Sequence, residues 1–185
     1  MRLMEVATYI LVVLGILGAI DIAVYHGVAH GIRYHPDARA ELVVHSLRGP
    51  TYCALFALIP NFALQGAWFW LLMGLFAFDL GISVVDFVLE GSSRRFFGGL
   101  PTGEYLLHIL MAMLFGAFAT AVVFGAGAWA TMPTRFAYQP ARVPLLLRLV
   151  MGVMAALVLG SGVQDALAAV RLSSTDADFA GPPRR

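Results

Sequence analysis

Long apolar runs with few charged residues constrain this chain more than any other feature. Of its 185 residues, 60% are hydrophobic and 12% are charged, whereas a soluble domain has about 45–50% apolar and about 25% charged residues. The mean hydropathy is +0.82. This composition excludes a disordered chain and a soluble globule, and it predicts a membrane protein. A crossing helix needs about 20 residues, so the length permits about four to six crossings and no large soluble domain.

Turn-forming residues divide the apolar sequence into five segments. Pro36, the Pro60-Asn61 pair, the glycine-rich stretch 91–103 and three prolines in 131–144 mark the breaks. The breaks predict an all-α polytopic bundle that forms a single domain over residues 1–171. Its five transmembrane helices are expected at about 5–30, 40–59, 64–90, 104–130 and 145–170.

The last helix and the residues after it carry two further signals. Gly152, Ala156 and Gly160 are spaced by four residues, and this small-residue stripe favours close helix packing in lipid. Residues 172–185 are polar and end in Pro-Pro-Arg-Arg, which predicts a disordered C-terminal tail.

The basic residues are all arginine, and they are distributed unevenly between the two membrane sides. With five antiparallel crossings, eight of the twelve lie on or near the side of the 31–40 and 91–103 loops. By the positive-inside rule that side is cytoplasmic, so we expect an integral protein of the bacterial inner membrane. The net charge of +1 argues against nucleic-acid binding. The expected partners are the lipid bilayer and an apolar substrate or redox partner, within a homo- or hetero-oligomer.

Ionisable residues gather near that same side. Such residues are costly in a membrane helix and usually mark a functional interior. Four pairs are spaced by four residues, which places both members on one helix face: His26 and His30, Glu41 and His45, Asp86 and Glu90, Glu104 and His108. Asp79 shares the face of Asp86 about two turns deeper. Asp21 and Asp165 are deeper still and indicate either a polar path or hydrogen-bonded packing.

The eight paired side chains have the chemistry of a metal site. Imidazole with carboxylate suits iron, zinc or manganese, and carboxylate-rich bundles hold two irons with comparable donors. We therefore predict that all eight are ligands of two ions, with iron favoured over zinc. Asp79 is a further ligand or a partner of one, and Tyr25 and Tyr105 are candidates for proton or electron relay. The expected function is a membrane oxidoreductase acting on a lipid, a quinone or another apolar substrate.

Three other functions remain open at this stage. A single zinc with three histidines and an acid would suit lipid amide or ester hydrolysis. His45 or His26, together with His108, would suit a b-type haem and electron transfer, although acidic surroundings disfavour haem. The chain would otherwise be a non-enzymatic subunit of a larger membrane complex. In that case Arg48, Arg94 and Arg95 would offset the charge of the acids in an ion-pair network.

Overall fold

The structure, a computed structural model, describes residues 3–95 and 98–179. They form a five-helix bundle with two short strands. The helices are α1 Leu3–Asp21, α2 Arg39–Leu58, α3 Ala67–Ser93, α4 Thr102–Ala126 and α5 Leu145–Phe179, and the strands are β1 Phe62–Gln65 and β2 Arg135–Tyr138. The prediction of an all-α bundle with five helices is therefore confirmed. Of the expected C-terminal tail, residues 180–185 lie outside the described part.

Four of the five helical segments are long and apolar enough to cross a membrane. They are Leu3–Ala29, Ala67–Ser93, Thr102–Thr131 and Leu145–Leu172. Their outer faces carry large apolar side chains such as Val88 and Leu157, which are 74% and 68% exposed. The remaining helix, α2, does not reach that apolarity, because its first half carries Arg39, Glu41 and Arg48. Glu41 points into the bundle, where it is 1% exposed.

A two-stranded ladder closes one end of the bundle. The α2–α3 and α4–α5 connections are predicted as turns, and the structure adds β1 and β2, which pair antiparallel with Phe62 opposite Tyr138. Gly66 follows β1 with a φ of 60°, and a Cβ there would lie 2.7 Å from the backbone of Thr134. Only glycine fits that position. The α1–α2 and α3–α4 connections lie at the opposite end.

The interior of the bundle changes from apolar to polar along its length. Along the buried face of α3, Leu72 and Phe76 give way to Asp79, Asp86 and Glu90. The core beside the ladder consists of large apolar side chains, among them Leu11, Leu14, Leu55, Phe56, Phe118, Val122 and Met151. This layout places the ionisable groups together at the end that carries the α1–α2 and α3–α4 connections.

Helices α2 and α5 approach each other closely through two glycines. A Cβ at Gly162 would lie 2.9 Å from the Cα of Gly49. The stripe Gly152, Ala156 and Gly160 does not make this contact, since all three residues are exposed. A Cβ at Gly152 or Gly160 would meet no atom within 4 Å. Gly162, which the stripe did not include, is therefore the glycine that packs against α2.

The α1–α2 connection is fastened to α5 by Arg33. Its guanidinium group donates to the carboxylate of Asp165 at 2.6 Å, to Gln164 at 2.8 Å and to the hydroxyl of Ser161 at 2.9 Å. Asp165 thus has a structural partner on the α1–α2 connection. This arrangement favours the packing interpretation of Asp165 over a polar path.

Candidate metal centre

The eight side chains expected as ligands lie in one buried cluster. Each exposes at most 10% of its side chain. They come from the π-helical segment Ile22–Ala29 that follows α1 and the residue that ends it, and from α2, α3 and α4, all at the polar end of the bundle. The i,i+4 spacing therefore identified residues that the fold brings together. Which of them could bind an ion depends on their distances.

Four side chains converge closely enough to share one ion, and we call Asp21, His26, Glu104 and His108 the four-residue set. All four are buried, and one ligand atom from each lies within 4.8 Å of the others. Nε2 of His26 and Nε2 of His108 are each 3.3 Å from Oδ2 of Asp21, and His26 Nε2 is 3.7 Å from Oε1 of Glu104. Ligands placed about 2.1 Å from a tetrahedral ion are about 3.4 Å apart. The three printed distances are close to that spacing, so the set could hold a metal ion.

Asp21 is the member that the sequence pattern did not include. Helix α1 ends at Asp21 and continues as a π-helix over Ile22–Ala29, closed by the hydrogen bond from His30 N to Tyr25 O at 3.0 Å. A π-helix bonds residue i to i+5, and such segments are frequent at functional sites. The five-residue step from Asp21 to His26 therefore lies on one face. A search for i,i+4 pairs cannot find it.

The Asp21 carboxylate supports a cation in this set. Two imidazole nitrogens approach the same oxygen, Oδ2, while Oδ1 is buried and has no hydrogen-bond partner. An unsatisfied buried carboxylate oxygen is costly. A metal ion bound among the four side chains would satisfy it, and the donor set therefore fits a metal.

A second set of three side chains adjoins the first and shares His26 with it. We call His26, Glu41 and His45 the three-residue set, in which one ligand atom from each lies within 4.8 Å of the others. The rings of His26 and His45 stack with centroids 4.7 Å apart. His45 Nε2 is 3.9 Å from Glu41 Oε1 and 3.1 Å from Asp86 Oδ1. Asp86 also binds Arg48 at 2.7 Å, so it supports His45 from outside the set.

Two of the expected ligands occupy supporting positions beside the four-residue set. His30 Nε2 lies 3.2 Å from Oε2 of Glu104. Glu90 Oε1 lies 2.8 Å from Nδ1 of His108, an ion-pair distance without hydrogen-bond alignment. A carboxylate beside one ring nitrogen favours the tautomer with hydrogen there, which leaves the other nitrogen free to bind a metal. The His108 Nε2 that faces Asp21 is that other nitrogen.

Arg94 lies between the two sets and is fully buried. Its Nη1 and Nη2 donate to Oε2 and Oε1 of Glu41 at 2.8 and 2.9 Å, and Nη2 donates to Oε1 of Glu104 at 2.6 Å. Ser93 also donates to Glu41. Burial alone would lower the pKa of Arg94. The hydrogen bonds to Glu104 and Glu41 outweigh burial and raise the pKa above its usual value, so the group stays cationic.

The cluster has more acids than bases. Its five carboxylates face two guanidinium groups, from Arg48 and Arg94, which leaves an excess of three negative charges when the histidines are neutral. Carboxylates held together in a low dielectric repel each other and disfavour their ionised forms. Bound divalent ions would offset that charge. The carboxylates concerned are Asp21, Glu41, Asp86, Glu90 and Glu104.

The other candidates lie at the margin of the cluster or away from it. Asp79 is 1% exposed and its Oδ2 accepts from the hydroxyl of Tyr52 at 3.3 Å, but it belongs to neither set. Tyr25 is half-buried, and a Cβ at Gly103 would collide with its hydroxyl. Tyr105 is 54% exposed on the outer face of α4. The structure thus does not bring Tyr105 to the cluster, because its position is rotated about 100° around the helix from Glu104, away from the buried face.

Substituting Glu90 tests its supporting position. We expect Glu90→Gln to weaken metal binding about 10- to 100-fold, because the ring of His108 would lose the carboxylate that orients it. Competition between the purified protein and a chromophoric chelator for Zn²⁺ would measure this. Asp37→Asn, at an exposed position outside the cluster, is the control and should bind as the parent does. Unchanged affinity in Glu90→Gln would remove Glu90 from the site.

Comparisons with known proteins give no relative for this chain. No protein-family model, no curated protein and no solved structure matches it.

Proposed function

We propose that this protein is an integral membrane metalloprotein with a transition-metal ion in the four-residue set, acting as an oxidoreductase on an apolar substrate. The convergence of Asp21, His26, Glu104 and His108 at coordination distances carries the proposal. Two neutral imidazoles and two carboxylates are donors suited to iron, manganese or zinc. Iron is favoured because two histidines with carboxylate typify non-haem iron sites.

The number of ions follows from the two sets. The sequence predicts two ions, and the three-residue set offers a second place beside the first. However, both oxygens of its Glu41 already accept hydrogen bonds from Arg94. Arg94 and His30 engage both oxygens of Glu104 in the four-residue set as well. The assignment of the resident ion to that set therefore rests on the buried Oδ1 of Asp21, which has no partner.

The surroundings of the site favour a substrate from the bilayer. The outer faces of the apolar helices carry exposed side chains such as Val84, Val88 and Leu106. Lipids, quinones and similar molecules dissolve in the medium that these faces contact. The ion would supply redox chemistry when bound. Glu90 would orient the ligand His108, and His30 would orient the ligand Glu104. The hydroxyl of Tyr52 donates to Asp79 at the margin of the cluster.

We infer the orientation of the bundle in the membrane from the distribution of its arginines. Of the nine arginines within residues 3–95 and 98–179, six belong to the end of the bundle that carries the cluster, so we place that end in the cytoplasm and the chain in the bacterial inner membrane.

A zinc-dependent lipid hydrolase is the second candidate. The three-residue set supports it, because catalytic zinc sites have three protein ligands and keep one position open for water. A b-type haem is less favoured than either candidate. His26 and His108 both contact the same oxygen of Asp21, and that carboxylate stands where a macrocycle between the two rings would lie.

Metal analysis with an optical spectrum tests the proposal. Protein purified in detergent without chelators should carry one transition-metal ion per chain by mass spectrometry. Iron should appear without a Soret band. Zinc alone would favour the hydrolase, and a Soret band would favour electron transfer. A folded protein without stoichiometric metal would overturn the metalloprotein proposal.

A further inference from the structure

Arg94 occupies the position between the two candidate ligand sets that a second cation would occupy. Its guanidinium group bridges Glu41, which belongs to the three-residue set, and Glu104, which belongs to the four-residue set. Carboxylates that bridge neighbouring ions are a feature of two-metal bundles. In this chain a side chain provides the positive charge between them.

We propose that Arg94 is a built-in substitute for the second metal ion, so that the chain binds one ion in the four-residue set. A neutral residue at position 94 would then free Glu41 to bind a second ion together with His45, beside the resident ion that His26 binds. This inference rests on the proposed metalloprotein function and adds the stoichiometry and its cause.

The hydrogen bonds of Glu41 are the first support. Oε1 accepts from Arg94 Nη2, and Oε2 accepts from Arg94 Nη1 and from the Ser93 hydroxyl. Both oxygens are therefore engaged, and Glu41 is fully buried. Asp21, in contrast, keeps a buried oxygen without a partner. Both oxygens of Glu104 are engaged as well, by Arg94 and His30, so the free donor of the four-residue set is on Asp21, and Glu41 offers none.

The charges are the second support. The five carboxylates of the cluster exceed Arg48 and Arg94 by three charges. One divalent ion reduces the excess to a single negative charge, whereas two would produce an excess of one positive charge in a buried site. Without Arg94, two divalent ions and Arg48 would balance the five carboxylates. The charge balance would be the same without Arg48, but only the loss of Arg94 also frees the oxygens of Glu41. A second ion therefore requires the absence of Arg94.

Counting zinc ions per chain tests the inference, because Zn²⁺ binds these donors without redox change. The parent protein, Arg94→Gln, Arg94→Lys and the control Arg48→Gln would be stripped, loaded with Zn²⁺, desalted and analysed by mass spectrometry. We expect one ion in the parent, two in Arg94→Gln, and one in Arg94→Lys and Arg48→Gln. Arg48→Gln removes the same charge from the cluster but touches neither Glu41 nor Glu104. His45→Ala added to Arg94→Gln should return the count to one.

The outcomes separate this inference from the proposed function. Two ions in the parent, or one ion in a folded Arg94→Gln protein, would overturn the role of Arg94 and leave the metalloprotein proposal standing. No ion in the folded parent would overturn both. If Arg94→Gln does not fold, Glu41→Gln decides. It should still bind one ion, since Glu41 belongs only to the three-residue set, and loss of that ion would place the resident ion with Glu41.

Discussion

Replacing His26 with alanine should abolish metal binding. His26 is the one residue that both ligand sets contain, so no alternative arrangement of the cluster can retain a full set without it. Loss of a supporting residue costs about 10- to 100-fold in affinity, and we expect loss of this ligand to cost at least about 100-fold. Zn²⁺ competition and metal counting on purified His26→Ala would measure the effect.

The control for His26→Ala is a histidine outside both sets. His35 is half-buried in the α1–α2 connection, and His35→Ala should bind Zn²⁺ as the parent does. Circular dichroism must show equal helix content in both variants. Retention of parental affinity by a folded His26→Ala protein would mean that neither set is the binding site.

Gly162→Ala should destabilise the bundle, whereas Gly160→Ala should not. A Cβ at Gly162 would lie 2.9 Å from the Cα of Gly49 and 3.3 Å from the carbonyl oxygen of Ser46. Both are backbone atoms, so α2 and α5 would have to separate. Overpacking of this kind costs about 1–3 kcal/mol. At Gly160 no atom lies within 4 Å, and alanine favours the helix by about 0.5–1 kcal/mol.

Thermal unfolding of the two variants in one detergent would compare them directly. The same change at positions two residues apart controls for helix propensity and for the added methyl group. We expect a lower Tm for Gly162→Ala and an unchanged or higher Tm for Gly160→Ala. An equal Tm would show that α2 and α5 do not meet at Gly49 and Gly162.

The number of helices is readable from the sequence, but their contacts are not. Proline and glycine clusters mark the breaks because they end helices whatever the surroundings. The pairing of β1 with β2 is not readable, since it joins residues at least 70 positions apart and depends on how the bundle brings their connections together. The contact of α5 through Gly162 likewise depends on the rotation of α5 about its own axis. Because α5 carries apolar residues on all sides, the sequence does not indicate which side faces α2.

The site was predictable where the helix is regular. The i,i+4 pairs identified the clustered side chains, since that spacing holds on any α-helix. The spacing predicts a polar path or hydrogen-bonded packing for Asp21 and does not place it among the ligands, because its position beside His26 depends on the π-helical segment Ile22–Ala29. The sequence also could not separate ligands from supporting groups. Glu90 and His30 occur in i,i+4 pairs just as Glu104 does. Only the distances between side-chain atoms show that Glu90 and His30 lie beside the four-residue set and that Glu104 belongs to it.

The apolar core beside the β1–β2 ladder limits the route by which a metal ion could reach the cluster. Leu11, Leu55, Leu72, Phe118 and Met151 fill the bundle between the cluster and the ladder. Hydrated ions cross such a packed hydrocarbon layer very poorly, because they would lose their water without gaining ligands. An ion in the cluster would therefore exchange with one compartment only, and the metal supply of that compartment would set the occupancy of the site.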